Sequence, residues 1–523
     1  MNYLLSIIIF FPSFAATLLY VLKGENSRIF GIIAAALELL FVVLLWSEFN
    51  VGYGGIQFSS HIDIIHSYGI SYYVGVDGIS LFLIALNALI TLLALCLFKY
   101  LKTSLIIATL CLESIMMGVF SALDVMLFYI FWELSLLPIL YTLGVWGGEK
   151  RIYAAIKYFI YAFGGSIIML LGILYFAYQY KLVMGVWSFN LLDWYQISLD
   201  WQTQKWLFVA FFVGMAVKIP LFPLHSWQPH TYTQAPFIGS ALLSAVVSKM
   251  GAYALLRFVL PLFPNASDSL NVFIGIICVF MIVYGAMISF VQKDLKTLLA
   301  YSSLSHMGII VLGIFALNAE GLSGAVFFMV THGLVVAGLF FLVGVVYERV
   351  QTQQISSLQG LAHSLPKLSS VFGIVMMCSL GLPLTMGFVG EVLCLYGYFQ
   401  VSPLIAFLAG SSFFVGAIYM LVAFKKVFLG TTLPQYSTLK DLRLREKSIF
   451  IPIIAFIICF GIYPKPILEP IDSSVQTLVK TIEAKILSYG SNRIIEGQNP
   501  YPYEHIPNDF DDKGMLIIPN IGD

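Results

Sequence analysis

Charge is what this chain has least of. Only 10% of its 523 residues are charged, against about 25% in an average soluble domain, too few to clothe a water-facing surface. The charge present is balanced, 27 basic residues against 27 acidic, so no basic face is left over to neutralise phosphates and nothing points to a nucleic-acid partner. Cysteine is also sparse. Cys96, Cys111, Cys278, Cys378, Cys394 and Cys459 are scattered and none forms a CxxC, so neither a disulfide framework nor an iron–sulfur or other metal site is signalled. The N-terminus MNYLLSIIIF has no basic residues ahead of its apolar run, which reads as a first spanning helix rather than a cleaved signal.

Apolar residues are what it has most of: 60% are hydrophobic and the mean hydropathy is +0.92. The chain reads as an all-α polytopic membrane protein with the lipid bilayer as its solvent. Windows of about 20 residues, the length that crosses a bilayer, mark fourteen spans: 3–22, 28–47, 77–98, 104–121, 124–143, 153–178, 205–220, 236–258, 270–291, 297–317, 322–347, 369–399, 404–429 and 448–463. The Gly-, Ser- and Tyr-rich segment 48–76 reads as an ordered loop or hairpin, and 468–490 as a surface amphipathic helix. This divides the chain into helices 1–3 with their outer loop (1–103), a five-helix bundle (104–258), a second bundle (259–429), a last helix (430–463) and a polar tail (464–523).

Loop charge orients the spans. With the N-terminus outside, the inward loops hold sixteen basic residues: Lys23, Arg28, Lys99, Lys102, Lys150, Arg151, Lys293, Lys296, Arg349, Lys367, Lys425, Lys426, Lys440, Arg443, Arg445 and Lys447. The outward loops between helices hold two, Lys181 and Lys205. The positive-inside rule then puts both termini outside.

The stretch Lys205–Arg257 carries the chemistry. Lys218 sits in the seventh span with Pro220 and Pro223 close behind, and Lys249 lies midway along the eighth. Lysines buried in apolar segments are costly in lipid and are functional by default. A proline beside one of them frees backbone groups that only a protein-lined or watered cavity can satisfy. Counting inward from the ends of the spans, Glu113 and Glu133 each lie nine residues in, Lys218 and Lys249 thirteen, His306 nine and His332 ten. Glu391 joins them if the overlong twelfth span unwinds at GLPLTMGF, 381–388. A lone membrane histidine is usually an interhelical hydrogen-bond partner, and a lone Glu or Lys is often half of a static pair. Seven ionisable groups at one depth on seven helices point instead to an ion or proton path. Arg257, Lys157 and Asp124 lie near helix ends, where snorkelling or the interface accounts for them. Glu38 is deep in the second span but outside the file, and His61, His66, His363 and His505 belong to loops or the tail.

The spans that break, the seventh and the twelfth, are each fourth in a set of five, helices 4–8 and 9–13. An odd number of helices reverses orientation, so the sets read as inverted repeats with sites at their discontinuous helices.

Five pieces in order, LDVMLFYIFWELSLLPILY (123–141), KIPLFPLHSWQPHTYTQAP (218–236), KMGAYALLRF (249–258), DLKTLLAYSSLSHMG (294–308) and GFVGEVLC (387–394), resemble the antiporter-like proton-pumping subunits of respiratory complex I. They are most similar to the chain 4, NuoM type. The resemblance covers helices 4–13 and implies a fourteen-helix fold with two inverted five-helix bundles. It also implies roles: Glu133 paired with Lys218 as the input couple, Lys249 as central relay, His306 and His332 as carriers, and Glu391 as terminal group. Glu391 separates the chain from types 2 and 5, which typically carry lysine there. Type 5 also has a long lateral helix, and none is read here. The 60 residues after Tyr463 depart from the type, whose chains usually end near the last helix.

Burial disfavours the charged forms of both Lys218 and Glu133, and pairing opposes this, so the couple reads as a switch. Histidine, with an unperturbed pKa of about 6.5, suits the intermediate steps. Water is expected between carriers, because helices sit about 8–10 Å apart. His225, His230 and Glu113 are secondary path candidates. No motif for NADH, flavin or quinone is present. The resemblance therefore implies a non-redox subunit of the translocase NADH:quinone oxidoreductase. NADH, FMN, iron–sulfur clusters and quinone would lie in partner subunits, with antiporter-like chains on either side linking this one to the redox arm. It implies an energy-transducing membrane, a bacterial inner membrane. The other readings are a subunit of a multi-subunit Na⁺/H⁺ antiporter, of an energy-converting hydrogenase, or of a ferredoxin-dependent photosynthetic complex.

Overall fold

Apolar runs of this length can satisfy their backbone in lipid only by closing hydrogen bonds within the segment, and the fold is accordingly a bundle of helices. The computed structural model describes residues 3–22 and 26–495. Its elements are α1 (Leu4–Leu22), α2 (Ser27–Ser47), a hairpin of β1 (Gln57–Ile65) and β2 (Ile70–Val76), α3 (Gly78–Leu97), α4 (Thr103–Ser121), α5 (Val125–Leu134), α6 (Leu136–Trp146) and α7 (Arg151–Met184). Then follow α8 (Trp201–Lys218), α9 (Trp227–Gln234), α10 (Phe237–Leu262), α11 (Pro264–Val291), α12 (Leu295–Ile314) and α13 (Ala319–Val350). The last are α14 (Pro366–Ser379), α15 (Met386–Val401), α16 (Pro403–Phe428), α17 (Leu444–Ile462) and α18 (Lys465–Ile495).

Among the described residues, eleven helices are long and apolar enough to cross a membrane, or twelve if the bent pair α17–α18 is one span. Every segment expected to span is helical over most of its length. The count of fourteen depends on two that break: α8 opens on polar residues 202–205 and ends at Lys218, and the expected twelfth span is split into α14 and α15. Segment 48–76 forms the antiparallel hairpin, with Asp63 opposite Ser71.

Two faces can be told apart by their contacts. On one, the hairpin bridges to the end of α4 (Val74 with Ala122), and Ser474 of α18 accepts a bond from Gly78 N. On the other, Arg28 donates to the carbonyls of Cys96 and Phe98, and Arg349 pairs with Glu446 at 2.7 Å. Between the faces, α10 and α13 are buried along their whole spanning windows, so the core follows these two helices. α18 takes in the expected helix 468–490 and extends beyond it at both ends. It runs 31 residues, bends 65° away from α17 and packs across α3, α11 and α13. Its Lys485 donates to the carbonyls of Pro261 (2.9 Å) and Ile197 (3.4 Å). The tail from 496, with His505, and Lys23 lie outside the described residues.

Candidate functional site

Lys218 ends α8, and the chain turns through 219–226 before α9. The turn satisfies the backbone that Pro220 frees. Leu221 N reaches Ala216 O at 2.8 Å, and Trp227 Nε1 donates to Val217 O at 2.9 Å. An internal break is tolerated at this depth only with such replacements. Lys218 is 1% exposed, and its Nζ donates to Ser135 Oγ and Tyr158 OH, both at 3.2 Å. It also lies 5.5 Å from the Trp132 and Tyr158 ring centroids, a cation–π setting.

The expected Glu133–Lys218 ion pair is not closed. Among the described residues no carboxylate lies within 4.0 Å of Lys218, and Glu133 reaches it only through space, with its Oε1 buried and unpartnered. The reason is local. Ser135, at the junction of α5 and α6, places its hydroxyl toward Lys218, while Glu133 sits beside Ile130, Leu134 and Leu137, which are 46%, 39% and 63% exposed.

Lys249 is fully buried between two π-helical turns of α10, 243–247 and 255–259. Such turns release a carbonyl from the helix ladder, and Lys249 Nζ takes up Ser244 O at 2.5 Å, five residues back, with Ser248 Oγ at 3.3 Å. Its third contact is His332 Nδ1 at 2.6 Å. The expectation of water between every pair of carriers is therefore corrected here, because the extended lysine side chain spans the gap between helices. The His332 and His306 rings stand edge to face at 5.3 Å. Among the described residues His332 Nε2 has no hydrogen-bond partner, and the ring borders a cavity of about 10 Å³ lined by Ser302, Ser303, His306, Cys378 and Ser379, room for about one water.

Hydroxyls lie among these groups, and the sequence reading missed them because Ser and Tyr leave no mark on hydropathy. Tyr232 is within electrostatic reach of both Tyr158 and Ser248, while its OH donates to Leu243 O at 3.1 Å. Beyond the histidines, Ser302 bonds Tyr419 OH at 2.7 Å, and Tyr419 lies in the field of Glu391. Glu391 is 3% exposed, five residues after α15 restarts. Gly381 in the break has φ +66°, and a Cβ there would stand 2.9 Å from Glu391 Oε2.

The secondary candidates divide. His225 is buried against Phe222, with Nε2 3.3 Å from Tyr284 OH, whereas His230 is exposed beside Tyr153. Glu113 is not drawn into the Lys218 cluster; the charge that reaches it is that of Glu38. Arg257 does not snorkel but is buried in an ion pair with Asp77, the N-cap of α3. Lys296 is no loop charge: it is 2% exposed, donates to the carbonyls of Thr233 and Ala235, and covers the Phe237 ring. Among the described residues, no group of three or more His, Cys, Asp or Glu is arranged to hold a metal ion.

The chain is similar to known proteins over most of its length. Residues 122–416 match the family described as NADH:quinone oxidoreductase/Mrp antiporter, TM. NADH-quinone oxidoreductase subunit M of Rhodobacter capsulatus is 38% identical over 506 residues, covering 93% of this chain and 98% of its own. NADH-ubiquinone oxidoreductase chain 4 of Arabidopsis thaliana is 36% identical, covering 87% and 92%. A chain of respiratory complex I from Thermus thermophilus with bound NADH superposes with a TM-score of 0.85 at 31% identity, covering 91% of this chain and 99% of that one. A chain of the Mrp complex from Dietzia sp. DQ12-45-1b shares the fold, with a TM-score of 0.80 at 18% identity over 92% and 99%. The chain belongs to the NADH:quinone oxidoreductase/Mrp antiporter membrane family and, within it, to the subunit M or chain 4 type.

Proposed function

We propose that this chain is the proton-translocating membrane subunit of an NADH:quinone oxidoreductase and moves protons along Lys218, Lys249, His332, His306 and Glu391, with Glu133 biasing the first. The observation that carries the reading is the direct contact of Lys249 with His332 inside a buried core. When Lys249 is protonated, Nζ donates and Nδ1 accepts, so the imidazole's own proton resides on Nε2. A proton passed from Nζ to Nδ1 then releases the one on Nε2 toward the cavity and His306. Ser302 and Tyr419 extend the line to Glu391.

The open Glu133–Lys218 couple fits the switching role. Lys218 keeps two neutral hydroxyl partners, so an approach or withdrawal of Glu133 changes how well its charge is stabilised. Glu133's exposed apolar surroundings suit a face covered by a neighbouring membrane subunit, through which redox chemistry elsewhere in the complex would act. In this reading NADH, FMN, iron–sulfur clusters and quinone belong to partner subunits, and this chain performs no redox step. The basic loops face inward and both termini outward across a bacterial inner membrane. Residues 104–258 and 259–429 act as inverted repeats, a division supported by the matching breaks after Lys218 and before Glu391.

The test is the intact complex in proteoliposomes carrying Lys218→Ala or Glu133→Gln. Redox-linked proton uptake should fall at least tenfold in the lysine variant and severalfold in the glutamine variant. An unchanged proton-to-electron ratio in both overturns the reading.

A further inference from the structure

Away from this line, two carboxylates are buried with no neutralising partner among the described residues. Glu38 on α2 is 0% exposed and Glu113 on α4 is 1% exposed, and among the described residues none of their four carboxylate oxygens has a hydrogen-bond partner. Helix register places them together. Ser27 and Thr103, at the starts of α2 and α4, share a hydroxyl bond of 2.7 Å, and both helices rise from that face. Glu38 is eleven residues beyond Ser27 and Glu113 ten beyond Thr103, heights of about 16 and 15 Å at 1.5 Å per residue. The seam is tight, since a Cβ on Gly31 would stand 2.7 Å from Ile106, and Glu113 feels the charge of Glu38 across it.

The third helix supplies an independent sign that the seam is built to hold something. Asn87 of α3 donates to the Glu113 carbonyl at 2.9 Å, fixing that level of α3 against α4. Thr91, one turn further along α3, is 0% exposed, and its hydroxyl too has no partner among the described residues. Side chains lean toward a helix's N-terminus, so the two carboxyls descend toward Thr91 while Thr91 leans up toward them. Arg28 is the one cation on α1–α4 among the described residues, and it is committed to the Cys96 and Phe98 carbonyls, about 15 Å below Glu38 along α2.

We infer that Glu38 and Glu113, with the Thr91 hydroxyl, form a second proton-holding site at the α2–α4 seam, a carboxylic acid and a carboxylate sharing one exchangeable proton. Two bare carboxylates in an apolar seam repel and are each desolvated; one proton between them removes one of the two charges and supplies a donor that can join the two groups. The site stands outside the Lys218–Glu391 line and does not depend on that reading. Its ligand is a proton, taken up and released from the side of the first three helices.

Infrared difference spectroscopy on the intact complex tests it. Native complex minus the Glu38→Gln/Glu113→Gln double variant should show a protonated-carboxyl stretching band that shifts in D₂O and changes amplitude during NADH-driven turnover. Dicyclohexylcarbodiimide, which modifies protonated carboxyls in apolar surroundings, should label Glu38 or Glu113 in native complex by peptide mapping, a readout that survives if the variant fails to assemble. Absence of both band and label overturns the inference. A band that neither exchanges nor changes in turnover shows a static neutral pair and overturns it as well. Protection from the reagent by excess sodium at fixed pH assigns the site to sodium instead.

Discussion

Lys249 Nζ and His332 Nδ1 lie 2.6 Å apart although 83 residues separate them in sequence. That contact joins α10 to α13, the two helices buried along their whole spanning windows. A lysine in hydrocarbon needs acceptors, and Ser244 O, Ser248 Oγ and His332 Nδ1 supply three, matching the three donors of an ammonium.

His332→Asn should separate structure from transport. An asparagine oxygen can stand near the Nδ1 position and accept from Lys249, so thermal stability should change by no more than about 1 kcal/mol. Asparagine cannot pass a proton through itself, so the proton-to-electron ratio in proteoliposomes should drop severalfold. Retention of full pumping would show that His332 only holds Lys249 in place.

Tyr158→Phe and Ser135→Ala each remove one of the two hydroxyl partners of Lys218. A hydrogen bond to a charged group contributes about 1.5–3 kcal/mol. The double variant should therefore disfavour the charged lysine and lower its proton occupancy near neutral pH, with pumping recovering as pH falls. A pH profile of pumping parallel to the native one would refute this.

Gly381→Ala probes the second break. The left-handed conformation costs a non-glycine residue about 1–2 kcal/mol, and the added methyl would crowd Glu391 and Phe413. Lower thermal stability together with reduced pumping is expected, while Gly164→Ala, with no atom within 4 Å of its Cβ, serves as control. Equal behaviour of the two variants would mean that the break does not position Glu391.

Arg257→Ala leaves Asp77 buried without its partner. Breaking a buried pair by removing one side costs about 3–5 kcal/mol, and the loss falls where the hairpin meets α3 and α10. Thermal unfolding or subunit dissociation should shift accordingly. A shift the size of an exposed pair, about 0–1 kcal/mol, would show that water replaces the arginine.

The fold was legible because lipid leaves a chain few choices. Sparse charge, long apolar runs and the bias of basic loops mark a helical membrane protein, and the prolines after Lys218 and around Pro383 mark its breaks. Depth along each span also follows from counting, which singled out Lys218, Lys249, His306, His332 and Glu391. Counting along helices says nothing about rotation around them or about the seam each side chain enters. The tertiary structure alone decided that Lys249 reaches His332, that Lys218 rests on Ser135 and Tyr158 rather than on Glu133, and that Glu113 turns to Glu38. Hydropathy records how deep a residue lies; its partner depends on packing between helices far apart in the chain, and no single-span pattern encodes that.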